Sequence, residues 1–318
     1  MTGGVILDNS ILQLFPFERR AFWEKTASCQ ARLREIRLRV GQPAVVYLGS
    51  RETFLDKEGN FTGSPARGRI VTGTELEELL EHICSYSPYA FEEELRQGFL
   101  TVNGGHRVGV AGQVVMEREG CIRTIKNVRF LNIRISHQIR GAADKVLPDV
   151  YRRGVPKNVL ILSPPGCGKT TLLRDLIRQV SDGNVYGRGR TVGVVDERSE
   201  IAGSCCGLPQ NDVGLRTDVL DACPKSLGMM MLLRSMSPEV IAIDELGSRE
   251  EFEALRSAAA CGSNIMATAH GEGPEDIIKR FDVPEGLWRQ LFQMIIVLGK
   301  ENGSCVVKKI QEGWDADA

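Results

Sequence analysis

The sequence predicts an α/β protein in which a mostly parallel sheet forms the larger domain and a smaller α+β domain precedes it. From residue 158 onward, short apolar runs alternate with helical patterns, which is typical of strand–helix–strand units. Before residue 140, β-branched residues alternate along segments with glycine-rich turns, which is typical of antiparallel strands. A chain of 318 residues is long enough for two such domains, each with its own core.

The predicted boundaries are 1–140 for the first domain, 141–157 for a linker and 158–318 for the second domain. The linker is placed where RGAADKVLPDVYRRGVPK (140–157) carries two prolines between the two patterns. Prolines at this density interrupt helices and central strands. We therefore expect the change of fold pattern to coincide with a domain boundary.

The composition limits the classes of function. Lys+Arg (40) and Asp+Glu (41) nearly cancel, which gives no global electrostatic attraction to nucleic acid or to an anionic membrane. No apolar run approaches the ~20 residues of a membrane-spanning helix. The first twenty residues lack the basic region and the cleavage site of a signal peptide. We therefore expect a cytoplasmic protein with no membrane insertion of its own.

The first domain is predicted to begin with an amphipathic helix in LFPFERRAFWEKTASC, followed by two short strands around the turn at Gly41–Pro43. Thr74 and Glu77 have the spacing of a capping box, and leucines at helical spacing follow them, so a helix is predicted to begin at Thr74. The segments 98–120 and 121–136 alternate apolar and polar residues between glycine turns. They predict the antiparallel sheet.

The second domain is predicted from four apolar runs that read as buried parallel strands, at 158–163, 191–196, 240–244 and 264–269. REEFEALRSAAAC, between the last two, has apolar residues on one helical face and predicts a helix. MIIVLGKENGSCVVKKI predicts a closing hairpin with Asn302-Gly303 in its turn.

The stretch SPPGCGKTT (163–171) matches the phosphate-loop pattern G-x-x-x-x-G-K-[ST], except that Ser163 stands at the first glycine position. A strand enters this stretch and a helix leaves it, as the pattern requires. Gly166 and Gly168 let the backbone turn its N–H groups toward phosphates at the helix N-terminus. Ser163 ends the strand before this turn, so we expect a serine at this position to have little effect on phosphate binding. The predicted phosphate-binding segment comprises Pro165, Gly166, Cys167, Gly168, Lys169, Thr170 and Thr171.

Three side chains of this loop have separate predicted roles. Lys169 reaches the β- and γ-phosphates of the nucleotide, Thr170 places its hydroxyl on Mg²⁺, and Thr171 hydrogen-bonds the α-phosphate. The alternative is a glycine turn with a solvated lysine. The flanking strand and helix make that alternative the weaker one.

Polar residues follow the three other predicted strands. VIAIDE ends in Asp244, predicted to hold Mg²⁺ through water, and Glu245, predicted to polarise the attacking water. The run TVGVVDE ends in Asp196 and Glu197, and NIMATAH ends in Thr268 and His270. Because the carboxyl ends of parallel strands share one edge of a sheet, these residues predict a centre for ATP hydrolysis.

Arginines and cysteines near these elements give further candidates. Arg198, Arg216 and Arg234 flank the strands, and in a ring-shaped ATPase a neighbouring subunit supplies such a group to stabilise charge on the γ-phosphate. A structural zinc site from Cys205, Cys206 and Cys223 is disfavoured, because the nine cysteines contain no C-x-x-C pair.

Taken together, SPPGCGKTTLLRD, VVDERSEI, the upstream GGHRVGVAG and LNIRIS, and above all the stretch 208–247, resemble the stage III sporulation protein AA family. That family is similar to the type II and type IV secretion and pilus motor ATPases. The resemblance implies a RecA-like P-loop NTPase core with Walker A at 163–171 and Walker B at 240–245. Asp196 and Glu197 match the acidic box of those motors, and His270 matches their histidine box. Asp244 stands where the motors have glycine, and the zinc-binding cysteine insert of many motors is absent.

The resemblance also implies a function. It implies a homo-hexameric ATPase that uses ATP and Mg²⁺ and acts from the mother-cell cytoplasm on membrane proteins of a channel to the forespore. In this reading Glu245, Lys169, Glu197, His270 and Arg234 are the catalytic residues. Arg107 in GGHRVG and Arg134 in LNIRIS are candidates, with Arg198 and Arg216, for arginines lent to a neighbouring subunit. For Arg107 and Arg134, the simpler alternative is charge at a strand edge.

Two other functions compete with a motor ATPase. Similar plastid and bacterial proteins pair such a core with a single-strand-binding domain, which would make this a nucleic-acid-binding ATPase. The final IQEGWDADA is acidic and carries no such domain, which disfavours that function. A nucleotide-switched scaffold with little turnover is the third, and Glu245 argues against it.

Overall fold

The computed structural model describes residues 10–85, 91–117, 120, 122–301 and 304–312. The first nine residues, the Asn302-Gly303 turn and the acidic segment 313–318, on which predictions were made above, lie outside the described residues. The chain forms two compact units. One contains the chain up to His137 together with Gly203–Gln210, and the other contains Gln138–Ala202 and the chain from Asn211 onward.

The first unit is built on an antiparallel sheet of seven strands within the described residues, in the order β4-β3-β2-β1-β7-β6-β5. Its strands are β1 (Leu33–Arg39), β2 (Val45–Leu48), β3 (Arg51–Leu55), β4 (Phe61–Thr62), β5 (Phe99–Val102), β6 (His106–Met116) and β7 (Ile122–Arg134). Its helices are α1 (Ser10–Gln13), α2 (Arg20–Ala27), α3 (Gly73–Ile83) and α4 (Glu92–Gln97). Phe15 and Trp23 stack with ring centroids 4.2 Å apart in its core.

The capping residue of helix α3 lies two residues before the predicted one. Thr72 is the N-cap, and its hydroxyl oxygen accepts the N–H of Glu75 at 3.2 Å. The sequence contains two overlapping Thr-x-x-Glu matches, at Thr72 and at Thr74. The structure uses the earlier one, in which the Glu75 carboxylate accepts a hydrogen bond from Arg69 at 2.7 Å.

The second unit contains a sheet in the order β12-β11-β13-β14-β10-β15-β16, parallel except that β16 runs antiparallel to β15. Its strands are β10 (Val159–Ser163), β11 (Val192–Asp196), β12 (Thr217–Asp221), β13 (Val240–Ile243), β14 (Asn264–His270), β15 (Met294–Glu301) and β16 (Ser304–Glu312). Its helices are α5 (Leu147–Val150), α6 (Lys169–Asp182), α7 (Lys225–Ser235), α8 (Arg249–Ala260), α9 (Pro274–Phe281) and α10 (Glu285–Leu291), and β8 (Tyr151–Arg152) pairs with β9 (Val155–Pro156).

The inner strands β10, β11 and β13 of this sheet are buried on both faces. Along β10, Val159 and Ile161 belong to a core cluster that includes buried leucines of α6. The alternating Leu160 and Leu162 belong to a second cluster with the aromatic residues of α8 and α10. Continuous apolar runs are therefore the sequence signature of these strands, because successive side chains enter opposite layers.

Two parts of the second unit differ from the prediction. Strand β12 was not predicted, because its residues TDVLD are half-buried at the edge of the sheet and include two aspartates. The segment 141–157, predicted to be a linker, instead contains α5, β8 and β9. Its side chains Ala143, Val146 and Val150 are fully buried in the core of this unit. The two prolines lie at the first turn of α5 and in β9, where they interrupt no central element.

Candidate functional site

The loop between β10 and α6 has the backbone geometry of a phosphate-binding nest. Gly166 and Gly168 both have left-handed backbone conformations, with φ of 69° and 86°, and α6 begins directly after Gly168. Cys167 is buried in the core between them, while Pro165 is exposed. Left-handed glycines turn successive N–H groups toward one point at the positive end of the helix. This cradle fits a phosphate group.

Ser163 is accommodated at the end of β10. It is fully buried, and its hydroxyl donates to the carbonyl oxygen of Pro164 at 2.7 Å. Its own carbonyl oxygen accepts a hydrogen bond from the Lys169 ammonium at 3.3 Å. The residue that departs from the usual loop pattern thus closes the strand and leaves the nest to Gly166 and Gly168.

Lys169 lies at the first position of α6 with its ammonium against the end of β14. Nζ donates to Nδ1 of His270 at 3.0 Å. Burial lowers the pKa of Lys169, and the carboxylates of Asp244 and Glu245 partly oppose that shift. A buried cation that has lost hydration is stabilised by an anion, and the phosphates of a nucleotide would supply one.

Asp244 follows β13, and its carboxylate accepts hydrogen bonds from two threonine hydroxyl groups. Thr170 Oγ1 donates to Asp244 Oδ2 at 2.5 Å, and the Thr268 hydroxyl donates to Oδ1. Hydroxyl and carboxylate oxygens are the ligands that Mg²⁺ prefers, and Mg²⁺ takes only one or two from the protein when substrate phosphates supply others. This donor set fits Mg²⁺. Within the described ranges, no group of three His, Cys, Asp or Glu residues could hold a metal ion by itself.

Glu245 has a left-handed backbone with φ of 53°, which is uncommon for a residue with a side chain. Such strain costs on the order of 1–3 kcal/mol and persists only where the surroundings hold it. The carboxylate of Glu245 accepts from His270 Nε2 at 3.0 Å and lies 3.3 Å from Arg198 Nη1. Because Lys169 donates to Nδ1 of His270, the proton of a neutral imidazole lies on Nε2 and points at Glu245. Lys169, His270 and Glu245 therefore form one hydrogen-bonded chain.

Asp196 and Glu197 have different surroundings although they are adjacent. Asp196 is 2% exposed, and its carboxylate accepts the backbone N–H groups of residues 200–202. Burial raises the pKa of Asp196 to about 6, against the lowering effect of those N–H groups. Arg174 of α6 donates to the carbonyl oxygens of residues 200 and 201 in the same loop. Asp196 therefore organises the loop after β11, and Glu197 extends from it to within 3.2 Å of Lys225.

Comparison with known proteins identifies the family. The family model described as sporulation stage III, protein AA, matches residues 7–315. The chain belongs to the stage III sporulation protein AA family. The stage III sporulation protein AA of Bacillus subtilis (strain 168) is 39% identical over 281 residues, covering 88% of this chain and 87% of that protein. The family assignment made from the sequence motifs is confirmed.

Solved structures of secretion and pilus motor ATPases share the fold. The pilus retraction motor PilT with bound ADP superposes with a TM-score of 0.62 at 17% identity, covering 93% of this chain and 83% of that one. The Legionella pneumophila ATPase DotB gives a TM-score of 0.57 at 17% identity, covering 92% and 78%. At this identity the likeness concerns the fold alone, and it confirms the predicted RecA-like α/β class. Across the described part of the chain, no helix is both long and apolar enough to cross a membrane.

The structure places the five candidate arginines in different surroundings. Arg198, predicted to serve a neighbouring subunit, pairs with Glu245 of its own chain. Arg216 donates to the carbonyl oxygens of Ser181 and Asp182 and so caps the end of α6. Arg234 lies nine residues along α7 from Lys225, about 13 Å at the rise of an α-helix, and is exposed. Its assistance to a neighbouring site stays a prediction.

Arg107 and Arg134 lie opposite each other on β6 and β7 of the first unit. The guanidinium of Arg107 lies over the ring of Phe99, 3.5 Å from its centroid. This cation–π contact gives Arg107 a local partner in a neighbouring strand. The proposed contribution of both arginines to another subunit stays a prediction.

Lys225 and Arg174 belong to the site and were missed by the sequence analysis. Lys225 opens α7, whose first turn is KSLG. A cation at a helix N-terminus opposes the helix dipole, so its position is a signal that a specific partner holds it there. Arg174 had no comparable signal, because arginines are common on helices and its burial depends on the loop that packs over it.

Proposed function

We propose that this protein is a Mg²⁺-dependent ATPase. The observation that carries the proposal is the meeting, at one edge of a parallel sheet, of a glycine nest, the Thr170–Asp244 pair and the chain from Lys169 through His270 to Glu245. The glycine nest and the Thr170–Asp244 pair suit a nucleoside triphosphate with its Mg²⁺. The Glu245 carboxylate, 31% exposed, is accessible to a water molecule.

Each residue has a role in the proposed reaction. Backbone N–H groups at Gly166 and Gly168 hold the phosphates, Thr171 hydrogen-bonds the α-phosphate, and the Lys169 ammonium turns from Ser163 and His270 to the β- and γ-phosphate oxygens. Thr170 and Asp244 hold Mg²⁺, Asp244 through water. When bound, Mg²⁺ neutralises charge on the β- and γ-phosphate oxygens.

Glu245 orients the attacking water and accepts its proton. His270 donates to Glu245 and fixes the direction of that carboxylate. Glu197 acts at the rim of the site through its ion pair with Lys225. Arg234, supplied by a neighbouring subunit, stabilises the charge that develops on the γ-phosphate.

The proposal extends to the assembly and its place in the cell. The protein acts as a hexamer in the mother-cell cytoplasm and reaches the membrane through protein partners. ATP hydrolysis drives assembly of, or transport through, a channel between mother cell and forespore during endospore formation. Membership in a sporulation family and a fold shared with secretion and pilus motors support this extension.

Two substitutions test the chemistry. Lys169→Ala removes the ammonium that meets the phosphates, so ATP binding is expected to be lost. Glu245→Gln keeps the shape but removes the base, so ATP binding is expected to persist while kcat falls by about 10²- to 10⁴-fold. The measurements are titration with a fluorescent ATP analogue and phosphate release. Glu253→Gln, at a position of α8 whose side chain is 46% exposed and contacts only Arg256 in the same helix among the ion pairs of the described residues, is the matched control and is expected to behave as wild type.

The results separate the parts of the proposal. A Glu245→Gln protein that hydrolyses ATP at the wild-type rate would remove Glu245 as the base. Unchanged binding by Lys169→Ala would place the nucleotide elsewhere. Sedimentation as a monomer at high concentration with ATP and Mg²⁺ would contradict the hexamer. Capture of membrane proteins from sporulating cells by the Glu245→Gln protein would support the channel role, and capture of nucleic acid instead would favour the competing function.

A further inference from the structure

Lys225 occupies a position between three elements that carry the acidic residues of the site. It is the first residue of α7, and its side chain is 11% exposed. Nζ donates to the main-chain carbonyl oxygen of Glu245 at 2.9 Å and to Glu251 Oε1 at 3.2 Å. It also lies 3.2 Å from Glu197 Oε2. The three N–H donors of the ammonium thus meet three acceptors, from the ends of β11 and β13 and from the first turn of α8.

The backbone after Asp244 is held at several points. The Glu245 N–H is accepted by Thr268 Oγ1 at 2.8 Å, while the Glu245 carbonyl oxygen is held by Lys225. Glu251 holds the same turn with its other oxygen, because Oε2 accepts the N–H of Gly247 at 2.8 Å. Lys225 and Glu251 therefore form a brace across the turn that follows β13.

This brace acts on a residue whose conformation needs support. Glu245 has φ of 53°, in the left-handed region that residues with a Cβ seldom adopt. The direction of its side chain, toward His270 and Arg198, follows from that backbone conformation. An unbraced turn could relax to an ordinary backbone conformation, and the carboxylate would then point elsewhere.

The position of Lys225 on its helix has no local benefit. A positive charge in the first turn of a helix is unfavourable, and KSLG supplies no acidic neighbour there. The favourable interactions of Lys225 are with Glu197, Glu251 and the Glu245 carbonyl oxygen, all outside α7. The contacts that stabilise the Lys225 side chain therefore come from the candidate site, and among the described residues none comes from its own helix.

We propose that Lys225 is a positioning residue that holds Glu245 in its left-handed conformation and so directs its carboxylate at the reacting water. The proposal rests on the ATPase function proposed above. Lys225 contacts Glu245 at the main-chain carbonyl oxygen, whereas the carboxylate contacts His270 and Arg198. Its loss should therefore impair turnover while the phosphate loop continues to bind nucleotide.

The test compares Lys225→Met with Lys279→Met, which makes the same change at an exposed position of α9. For Lys225→Met we expect kcat for ATP to fall by about 10- to 100-fold, as for a misplaced reacting group. We expect KM for ATP and the Kd of a non-hydrolysable ATP analogue to change by less than about twofold, since the brace is separate from the nest. A merely structural loss would change these binding constants as well. Lys279→Met should match wild type.

A second measurement is independent of hydrolysis. A crystal structure of Lys225→Met should show Glu245 outside the left-handed region and its carboxylate away from His270. If Lys225→Met does not yield folded protein, Glu251→Gln carries the same test, because it weakens the brace while leaving an oxygen for the Gly247 N–H. We expect it to shift kcat in the same direction by a smaller factor.

Either of two results would overturn the inference: a kcat within about twofold of wild type for Lys225→Met, or an unchanged Glu245 conformation in its crystal structure. If Glu251→Gln is the variant tested, an unchanged kcat would also overturn the inference. Failure of the ATPase proposal is recognised separately, by a wild-type protein that binds no nucleotide. In that event, the crystal structure still decides whether Lys225 holds Glu245.

Discussion

Replacing Thr268 with valine should destabilise the second unit without disturbing its packing. Thr268 is fully buried on β14, and valine has nearly the same shape. The hydroxyl accepts the Glu245 N–H at 2.8 Å and donates to Asp244 Oδ1. A buried hydrogen bond to a charged group contributes about 1.5–3 kcal/mol and a neutral one about 0.5–1.5 kcal/mol.

The two lost bonds do not leave their partners entirely unsatisfied. The Glu245 N–H still lies 3.1 Å from Asp244 Oδ1, so these two groups retain each other. We therefore take the lower part of the summed range, and expect the free energy of unfolding to fall by about 2–3 kcal/mol.

The assay is urea denaturation followed by tryptophan fluorescence. Substituting Trp23 and Trp314 with phenylalanine leaves Trp288, which is fully buried in the second unit, as the reporter. The control is Thr191→Val, an exposed position whose hydroxyl oxygen also accepts a backbone N–H, from Glu239 at 3.1 Å. We expect Thr191→Val to change the free energy of unfolding by less than about 0.5 kcal/mol, because water replaces the lost hydrogen bond.

A Thr268→Val protein as stable as its parent would refute the reasoning. It would mean that the Asp244–Glu245 turn does not depend on the Thr268 hydroxyl. Equal losses for Thr268→Val and Thr191→Val would also refute it, because burial would then have no bearing on the cost.

Two further predictions concern Asp196 and Ser163. The pKa of Asp196 in the folded state, about 6, lies above its ordinary value of 3.8, so the folded state retains a proton that the unfolded state releases. The stability of wild type relative to Asp196→Asn should therefore fall by about 3 kcal/mol between about pH 4 and about pH 6 and level off above, as measured by urea denaturation; a flat difference would contradict the raised pKa. Ser163→Gly, which restores the usual loop pattern, should leave the Kd for ATP within about twofold in the fluorescent-analogue titration, because the Ser163 hydroxyl donates to the Pro164 carbonyl oxygen and accepts from Lys169 Nζ only at 3.5 Å, where a hydrogen bond is weak. A large gain in affinity would mean that the serine impairs the nest.

The order of residues is enough to predict the parallel sheet and the proposed nucleotide-binding loop. The strands at 159–163 and 240–243 are runs of apolar residues, except for Ser163 at the end of the first, and a strand buried on both faces requires that composition. The phosphate nest depends on Gly166 and Gly168 and on the helix directly after them. Asp244 and Glu245 end their strand, and the carboxyl ends of parallel strands meet at one edge. Each of these features depends on residues that are adjacent in the sequence, so it can be predicted without the tertiary structure.

Which long or charged side chains meet depends on the tertiary structure. Arg198 pairs with Glu245 of its own chain, Arg216 caps α6, and Lys225 braces the turn after β13. Asp196, one of the polar strand ends expected at the reaction centre, lines the same pocket as Asp244 and Glu245 and also holds its own loop. Each of these partners is set by strand order and by the path of a loop. Arginine, lysine and aspartate side chains offer similar chemistry at many positions, and only folding brings particular donors and acceptors within hydrogen-bond distance.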